Sequence, residues 1–272
     1  MKILCVGDVV ARPGREVLQK TLSKVRTEYE VDFVVVNGEN SAGGSGIDLK
    51  CYQELVKAGA DVVTLGDHTW RRSEVATLLK GAEYSCICPG NYPIGEAAVR
   101  GWIIREINGV RVGVINVLGR TFMSGALDCP FQYVESVIKN HFTDVPVRIV
   151  DFHAEATSEK IAFTRHFDGR LTMVFGTHTH VPTADARILS RGTAAITDVG
   201  MTGSHAGVIG MDAQTAIDRF LTGLPSSYRP AKGGLEFNAV LVELDSRTLQ
   251  PCGIQRVTSA LQDDDENVSV AL

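Results

Sequence analysis

Short apolar runs alternate with helical patterns over the first third of the chain. The predicted strands are residues 2–7, 32–37 and 61–66, and the predicted helices are residues 14–26, 47–58 and 74–80. Pro13 and Ser73 mark two of the helix starts, with Ser73 as a candidate N-cap. Strand and helix recur at intervals of about thirty residues, the length of a βαβ unit. Because parallel strands need a crossover between them, this pattern predicts a parallel sheet in an α/β protein.

The rest of the chain adds antiparallel elements to this sheet. Residues 101–107 and 110–118 are β-rich and are joined by Asn108-Gly109, which favours a type I′ hairpin turn. The other predicted elements are strands 147–151, 171–176 and 193–198, helices 131–141 and 158–166, and a final hairpin of 237–244 with 249–257. The sequence therefore predicts mixed sheets flanked by helices.

Length and composition favour a single domain. The chain has 272 residues and a formal net charge of -5, with no linker, internal repeat or low-complexity block. We expect one domain over residues 1–260 and a flexible acidic tail over residues 261–272. No apolar stretch approaches the ~18 residues of a membrane span. The six scattered cysteines predict free thiols in a reducing cytoplasm.

Polar side chains follow five predicted strands where each strand ends. They are Asp8, then Glu39 and Asn40, then Asp67 and His68, then His153, and finally His178 and His180. In open parallel sheets, ligands bind beyond the carboxyl ends of the strands, so we expect these side chains to converge. Taken singly, Asp8 reads as a helix cap, Asn40 as a turn residue and His153 as a core histidine. Their conjunction favours a metal site.

The donor types fit two metal ions. Carboxylate, amide and imidazole ligands suit manganese, iron, zinc or nickel better than calcium. Glu39 can bridge two ions. In an extended segment, residues two apart point the same way, so His178 and His180 can serve neighbouring ions.

The order of these motifs resembles the YmdB family of calcineurin-like metallophosphoesterases. The strings that carry the resemblance are Gly7-Asp8-Val9-Val10, Asn37-Gly38-Glu39-Asn40, Gly176-Thr177-His178-Thr179-His180 and Thr197-Asp198-Val199-Gly200. The similarity extends from Lys2 to about Val257. It implies a four-layer α/β fold with a dinuclear centre, and a phosphodiesterase acting on 2′,3′-cyclic nucleotides.

The resemblance also implies roles for individual residues. The first metal would bind Asp8, Glu39, Asn40 and His180, and the second would bind Glu39, Asp67, His153 and His178, with Glu39 as the bridge. The ions would be divalent or mixed-valence iron or manganese, with zinc as an alternative. The expected reaction is attack on phosphorus by a hydroxide that bridges the metals. His68 would protonate the leaving oxygen, or else only orient Asp67.

Two positions depart from the patterns of related sequences. The family usually reads Gly-Asn-His where this chain has Gly66-Asp67-His68, which adds one negative charge to the site. The wider superfamily has a histidine two residues after the first aspartate. This chain has Val10 there, and Asn40 is the candidate replacement.

Weaker candidates surround the proposed ligands, each with a structural alternative. Arg12 and Arg15 are either phosphate contacts or surface arginines, and Trp70 and Tyr92 either stack a base or pack in the protein. Asp198 is a candidate partner for a ligating histidine, and Glu155 and Lys160 are candidates for fixing the loop after His153. We expect His141 and His166 to be structural, and the role of His205 is ambiguous. None of these adds to the metal-ligand set.

The expected protein is a cytoplasmic, homo-oligomeric hydrolase with a small phosphodiester substrate. One alternative is a regulator that binds RNA or a protein and whose metal site is structural. The other is a phosphomonoesterase. The acidic charge gives no indication of RNA binding, although a local basic patch would not show in the total. No P-loop, dinucleotide-binding glycine motif or nucleophile elbow is present.

Overall fold

The computed structural model describes residues 1–93 and 100–261, and within these ranges the chain forms two β-sheets and six α-helices. The strands are β1 Lys2–Val6, β2 Asp8–Val9, β3 Phe33–Asn37, β4 Val62–Thr64, β5 Trp102–Ile107, β6 Val110–Leu118, β7 Val147–His153, β8 Met173–Thr177, β9 Arg187–Ile188, β10 Ala194–Ile196, β11 Met201–Ser204, β12 Leu235–Leu244 and β13 Pro251–Leu261. The helices are α1 Ala11–Glu28, α2 Leu49–Ala58, α3 Val75–Lys80, α4 Pro130–Asn140, α5 Thr157–His166 and α6 Ala213–Thr222, with a 3₁₀ turn at Thr69–Arg71.

Both sheets are mixed. The first has the order β2-β11-β12-β1-β3-β4, with β13 paired to β12, and the second has the order β5-β6-β7-β8-β10-β9. The strands β1, β3 and β4 run parallel, as do β6, β7, β8 and β10. The predicted hairpin is β5 and β6, and Asn108 and Gly109 have φ of 52° and 77°. Positive φ at both positions is what a type I′ turn requires.

Strand alternation builds three apolar layers between the elements. In β1, Leu4 and Val6 pack toward α1 and α2, whereas Ile3 and Cys5 pack against the second sheet. Residues of β6 to β8 complete the layer between the sheets, and their opposite faces pack against α4 and α5. The result is a four-layer arrangement of helices, sheet, sheet and helices. The predicted fold class is confirmed.

Several local expectations need correction. Ser73 is not the N-cap of α3, because Glu74 occupies that position and its side chain makes no cap hydrogen bond. The strand predicted to end at residue 151 continues to His153. The helix α6 was not predicted, although its N-cap Asp212 accepts a hydrogen bond from the backbone N–H of Thr215.

The predicted acidic tail over residues 261–272 lies almost entirely outside the described residues. Its first residue, Leu261, is the last residue of β13. Among the described residues, no helix has both the length and the apolar character to cross a bilayer.

Candidate metal centre

All the proposed ligands lie at the carboxyl edge of the two sheets. Asp8 follows β1, Glu39 and Asn40 follow β3, Asp67 and His68 follow β4, His153 ends β7, and His178 and His180 follow β8. Because each group of strands is parallel, their ends meet at one edge, and the packed sheets bring the two edges together. The structure thus collects residues from five separate segments of the chain.

One cluster of potential ligand atoms contains Asp67, His153 and His178. Asp67 Oδ1 lies 3.1 Å from His153 Nε2 and 3.4 Å from His178 Nδ1. The two imidazole nitrogens are themselves 3.0 Å apart. These three residues belong to the set proposed for the second metal.

A second cluster contains Asp8, Glu39 and His153. His153 Nε2 lies 3.6 Å from Glu39 Oε2, and His180 Nε2 lies 3.8 Å from Asp8 Oδ1. Asp8 Oδ1 is buried and has no hydrogen-bond partner. An unpaired buried carboxylate oxygen is costly unless a cation binds it, so the donor set fits a metal ion here.

Each imidazole proposed as a ligand is oriented through its other nitrogen. His153 Nδ1 donates to Thr177 Oγ1 at 2.9 Å, and that hydroxyl donates to Asp151 at 2.7 Å. His178 Nε2 lies 3.2 Å from Glu155 Oε2. His180 Nδ1 donates to the Ile209 carbonyl at 3.0 Å. These contacts leave His153 Nε2, His178 Nδ1 and His180 Nε2 directed at the carboxylates, as metal-ligating histidines require.

His68 lies beside Asn40 and forms a third cluster of potential ligand atoms with Glu39 and Asp67. His68 Nδ1 is 2.8 Å from Asn40 Oδ1 and 3.1 Å from Glu39 Oε1, so both neighbours accept from this nitrogen. Asn40 Nδ2 lies 3.0 Å from His180 Nε2. As a metal ligand beside His180, Asn40 would need its amide oxygen turned toward that side.

The carboxylates create a strong negative potential in the centre. Burial disfavours the charged form of His153, yet Glu39, Asp67 and Asp8 raise its pKa to about 10. Burial likewise opposes ionisation of Glu39, but His153 and His68 outweigh it and lower the Glu39 pKa. Burial raises the pKa of Asp8 despite nearby His180 and His153. A site that favours a buried cation to this extent is suited to a metal ion.

A family model described as YmdB-like protein matches residues 4–257. The chain belongs to the YmdB-like family. It is 42% identical over 257 residues to the "2′,3′-cyclic-nucleotide 2′-phosphodiesterase" of Bacillus subtilis, covering 94% of this chain and 96% of that protein.

Two solved structures place this YmdB-like protein among known folds. A crystal structure of a "novel phosphatase" of Mycoplasma pneumoniae superposes with a TM-score of 0.89 at 34% identity, covering 97% of this chain and 94% of that one. A putative 5′-nucleotidase of Staphylococcus aureus superposes with a TM-score of 0.64 at 14% identity, covering 97% of this chain and 55% of that one. The second similarity shows a shared fold alone.

The segment that carries His178 and His180 is held by a buried ion pair. Lys160 Nζ donates to Asp198 Oδ2 and to the Thr177 carbonyl, both at 2.8 Å. Asp198 also accepts from the backbone N–H of Thr179 at 3.1 Å. Asp198 therefore acts on the backbone between the two histidines, whereas the sequence suggested that it contacts an imidazole.

Gly66 is required by close approach. A Cβ at this position would lie 2.4 Å from Glu39 Oε2 and 2.4 Å from His153 Nε2. A side chain here would displace two proposed ligands, so the glycine keeps the centre compact.

Each of the two arginines singled out as a phosphate contact or a surface arginine pairs with a glutamate. Arg12 pairs with Glu16 at 2.6 Å, and Arg15 pairs with Glu54 at 2.6 Å. Arg15 also donates to the carbonyl of Ser41. Arg15 thus fixes the loop after Asn40, and neither arginine joins the clusters of potential metal ligands.

The aromatic and remaining histidine candidates also have structural contacts. Trp70 and Tyr92 pack edge to face at 5.6 Å, and Tyr92 Oη donates to the Gly66 carbonyl at 3.3 Å. The other histidines bind away from the centre: His141 stacks on Trp102, His166 bonds to Glu135 and His205 bonds to the Met201 carbonyl.

The loop and helix beside His180 were not predicted from the sequence. Ile209 supplies a backbone carbonyl, which leaves no side-chain signal. The helix α6 did have one, because Asp212 precedes apolar residues at positions 213, 216, 217, 220 and 221, which is helical spacing.

Proposed function

We propose that this protein is a dinuclear metal-dependent phosphodiesterase that hydrolyses 2′,3′-cyclic nucleotides or related small phosphodiesters. The observation that carries the proposal is the convergence of three carboxylates and three imidazoles in overlapping clusters, one of which contains Asp8 with its unpaired buried oxygen. The activity named for the Bacillus subtilis relative supports the substrate class.

The metal ligands are assigned to two overlapping sets. Asp8, Glu39, Asn40 and His180 would hold one ion, and Glu39, Asp67, His153 and His178 would hold the other. Mixed oxygen and nitrogen donors suit iron or manganese, with zinc as the alternative. When bound, such ions supply Lewis acidity toward phosphate oxygens and lower the pKa of water.

His68 is assigned as the general acid for the leaving oxygen. Its hydrogen bond to Glu39 raises its pKa, which favours the protonated ring that an acid needs. Its Nδ1 lies 3.1 Å from Glu39 Oε1, and this contact orients the ring whichever way the Asn40 amide is turned. The His68 side chain also lines the cavity beside the centre.

The test combines metal analysis of the purified protein with hydrolysis of 2′,3′-cAMP, an aryl phosphodiester and an aryl phosphomonoester. We expect about two metals per chain and preference for the diesters. Fewer than one metal per chain, with no turnover after manganese or iron reconstitution, refutes the enzyme assignment. Preference for the monoester would instead make the protein a phosphomonoesterase.

The role of His68 is tested separately by His68→Ala, with His166→Ala as the matched control. His68→Ala should keep its metals while turnover falls about 10²- to 10⁴-fold. His166→Ala should change neither quantity, because the exposed His166 side chain pairs with Glu135 and is not a proposed ligand. Loss of metal from His68→Ala would make His68 a ligand, consistent with its clustering with Glu39 and Asp67.

Two further properties belong to this proposal. A cytoplasmic location is supported by six free cysteines. A homo-oligomer is supported by exposed Ile217 on α6 and by exposed Leu224 just beyond it. Light scattering coupled to gel filtration tests the second property, and a monomeric mass contradicts it.

A further inference from the structure

We propose that the cavity between the metal centre and α6 is a nucleobase subsite. This inference rests on the proposed function, since it assigns the part of the substrate that extends beyond the phosphodiester. The cavity has a volume of about 550 Å³, within the range of roughly 300–1,000 Å³ typical of small-molecule sites. Asn40, His68 and His180 line one part of it, so it opens directly onto the centre.

The remaining wall is largely apolar. Ile209, Met211, Phe220 and Tyr228 line it, and among the described lining residues none is Asp or Glu. Arg219 is the one described lining residue with a permanent positive charge, so a second anionic group would have a single strong partner in the cavity. A flat aromatic heterocycle could instead pack against several apolar side chains. The lining chemistry therefore favours a base over a further phosphate.

Ile209 connects this wall to the metal centre. Its carbonyl accepts from His180 Nδ1 at 3.0 Å, while its side chain is 53% exposed. Its φ is 44°, which is unusual for a β-branched residue. Backbone conformations of this kind concentrate at binding and catalytic sites. The same residue thus orients a proposed ligand and contributes apolar surface to the cavity.

Two aromatic rings frame the apolar part. Tyr228 is fixed, because its hydroxyl donates to the Gly210 carbonyl at 2.9 Å and its ring lies so close to Gly44 that a Cβ there would be 2.2 Å away. Phe220 is 85% exposed, on a helix anchored by buried Ala216. An exposed ring beside a rigid aromatic wall suits stacking of a base, which is tolerant of base identity.

The experiment compares 2′,3′-cAMP with 1-O-methylribose 2′,3′-cyclic phosphate, which has the same reacting group and no base. Wild type should favour the nucleotide by about tenfold in kcat/KM, and Phe220→Ala should remove most of that preference by raising KM. Phe220→Trp should retain it. Leu221→Ala is the matched control, since Leu221 is 79% exposed on α6 and does not line the cavity.

A binding measurement separates this inference from the proposed function. Calorimetry with 3′-AMP should show about tenfold weaker binding to Phe220→Ala than to wild type or Leu221→Ala. If wild type turns over both cyclic phosphates equally well and Phe220→Ala matches it, the base subsite is wrong and the hydrolase stands. If wild type hydrolyses neither compound, the proposed function fails, and the 3′-AMP affinities alone decide the subsite.

One competing result is also decisive. If Phe220→Ala and Leu221→Ala both lower the molecular mass in solution and change KM equally for both substrates, Phe220 belongs to an interface between copies of the chain. That outcome overturns the nucleobase assignment.

Discussion

Replacing Lys160 with methionine tests how the segment bearing His178 and His180 is held. The Lys160 residue is 3% exposed, and its ion-pair partner Asp198 is 1% exposed. Methionine keeps the apolar stem and removes the ammonium group, which leaves the Asp198 carboxylate buried without its cation. Breaking a buried pair in this way costs about 3–5 kcal/mol in the free energy of unfolding. That loss is a large share of the roughly 5–15 kcal/mol that stabilises a typical domain.

The measurement is urea unfolding of the metal-free protein, analysed as a double-mutant cycle with Asp198→Asn. In the double variant neither charge remains unpaired, so its loss should be smaller than the sum of the single losses by about 1–3 kcal/mol. Lys139→Met is the matched control. Lys139 is exposed near the end of α4, and its replacement should change the free energy of unfolding by no more than about 0.5 kcal/mol.

Metal affinity provides a second readout of the same perturbation. Lys160→Met removes the hydrogen bond from the ammonium to the Thr177 carbonyl. It also removes the cation that holds Asp198, which accepts from the Thr179 N–H, so the segment between the two histidines is held less firmly. We expect manganese to bind about 10- to 100-fold more weakly, the usual cost of losing a group that orients ligands. The reasoning would be refuted if Lys160→Met lowered the free energy of unfolding by less than about 1 kcal/mol. It would also be refuted if the losses of Lys160→Met and Asp198→Asn were strictly additive in the double variant.

Two further predictions follow from carboxylates elsewhere. Asp67→Asn should keep both metals but release the second more readily to a chelator, because it removes one of three carboxylates; equal retention would count against this. Hydrogen bonds from Thr197 and Thr183 outweigh burial and lower the pKa of Asp185, so its stabilisation is present above the unfolded-state pKa and is lost as the pH falls through the folded-state pKa. Asp185→Asn should therefore lose about 1 kcal/mol at pH 7, a modest figure because the carboxyl is half-exposed, and almost nothing in acid. Urea unfolding at both pH values checks this, and a loss independent of pH contradicts it.

The fold was predictable because the strands are buried on both faces. Continuous apolar runs such as Phe33-Val34-Val35-Val36 have few alternatives to a central strand, and helices between them force parallel order. The ends were less predictable, because pairing decides where an extended segment stops. β7 continues through Asp151 to His153 since His153 pairs with Leu118 and Thr177, which apolar patterning does not encode.

The helix α6 shows a different limit. Its apolar spacing is that of a core helix, yet Ala216 alone among its residues is buried and Phe220 lies largely open. Sequence periodicity reports that a face is apolar, whereas the covering partner is set by tertiary packing or by a ligand. The apolar pattern of α6 therefore indicates a helix but does not indicate what covers its apolar face.

In the candidate metal centre, the identity of the proposed ligands was predictable from the sequence, whereas their orientation was not. Donor residues are visible in the sequence because few side chains bind metals, and the strand ends say where they converge. Orientation comes from groups with no such signature: a threonine hydroxyl relays His153 to buried Asp151, and a main-chain carbonyl of Ile209 holds His180. Every residue has a main-chain carbonyl, so the residue type of Ile209 does not mark it as a partner of His180. The strained turn at Ile209 places its carbonyl there, and this is visible only in the three-dimensional structure. The same turn brings the apolar cavity wall to the metal centre. The wall that would select the substrate is therefore the part of the site that was not predicted from the sequence.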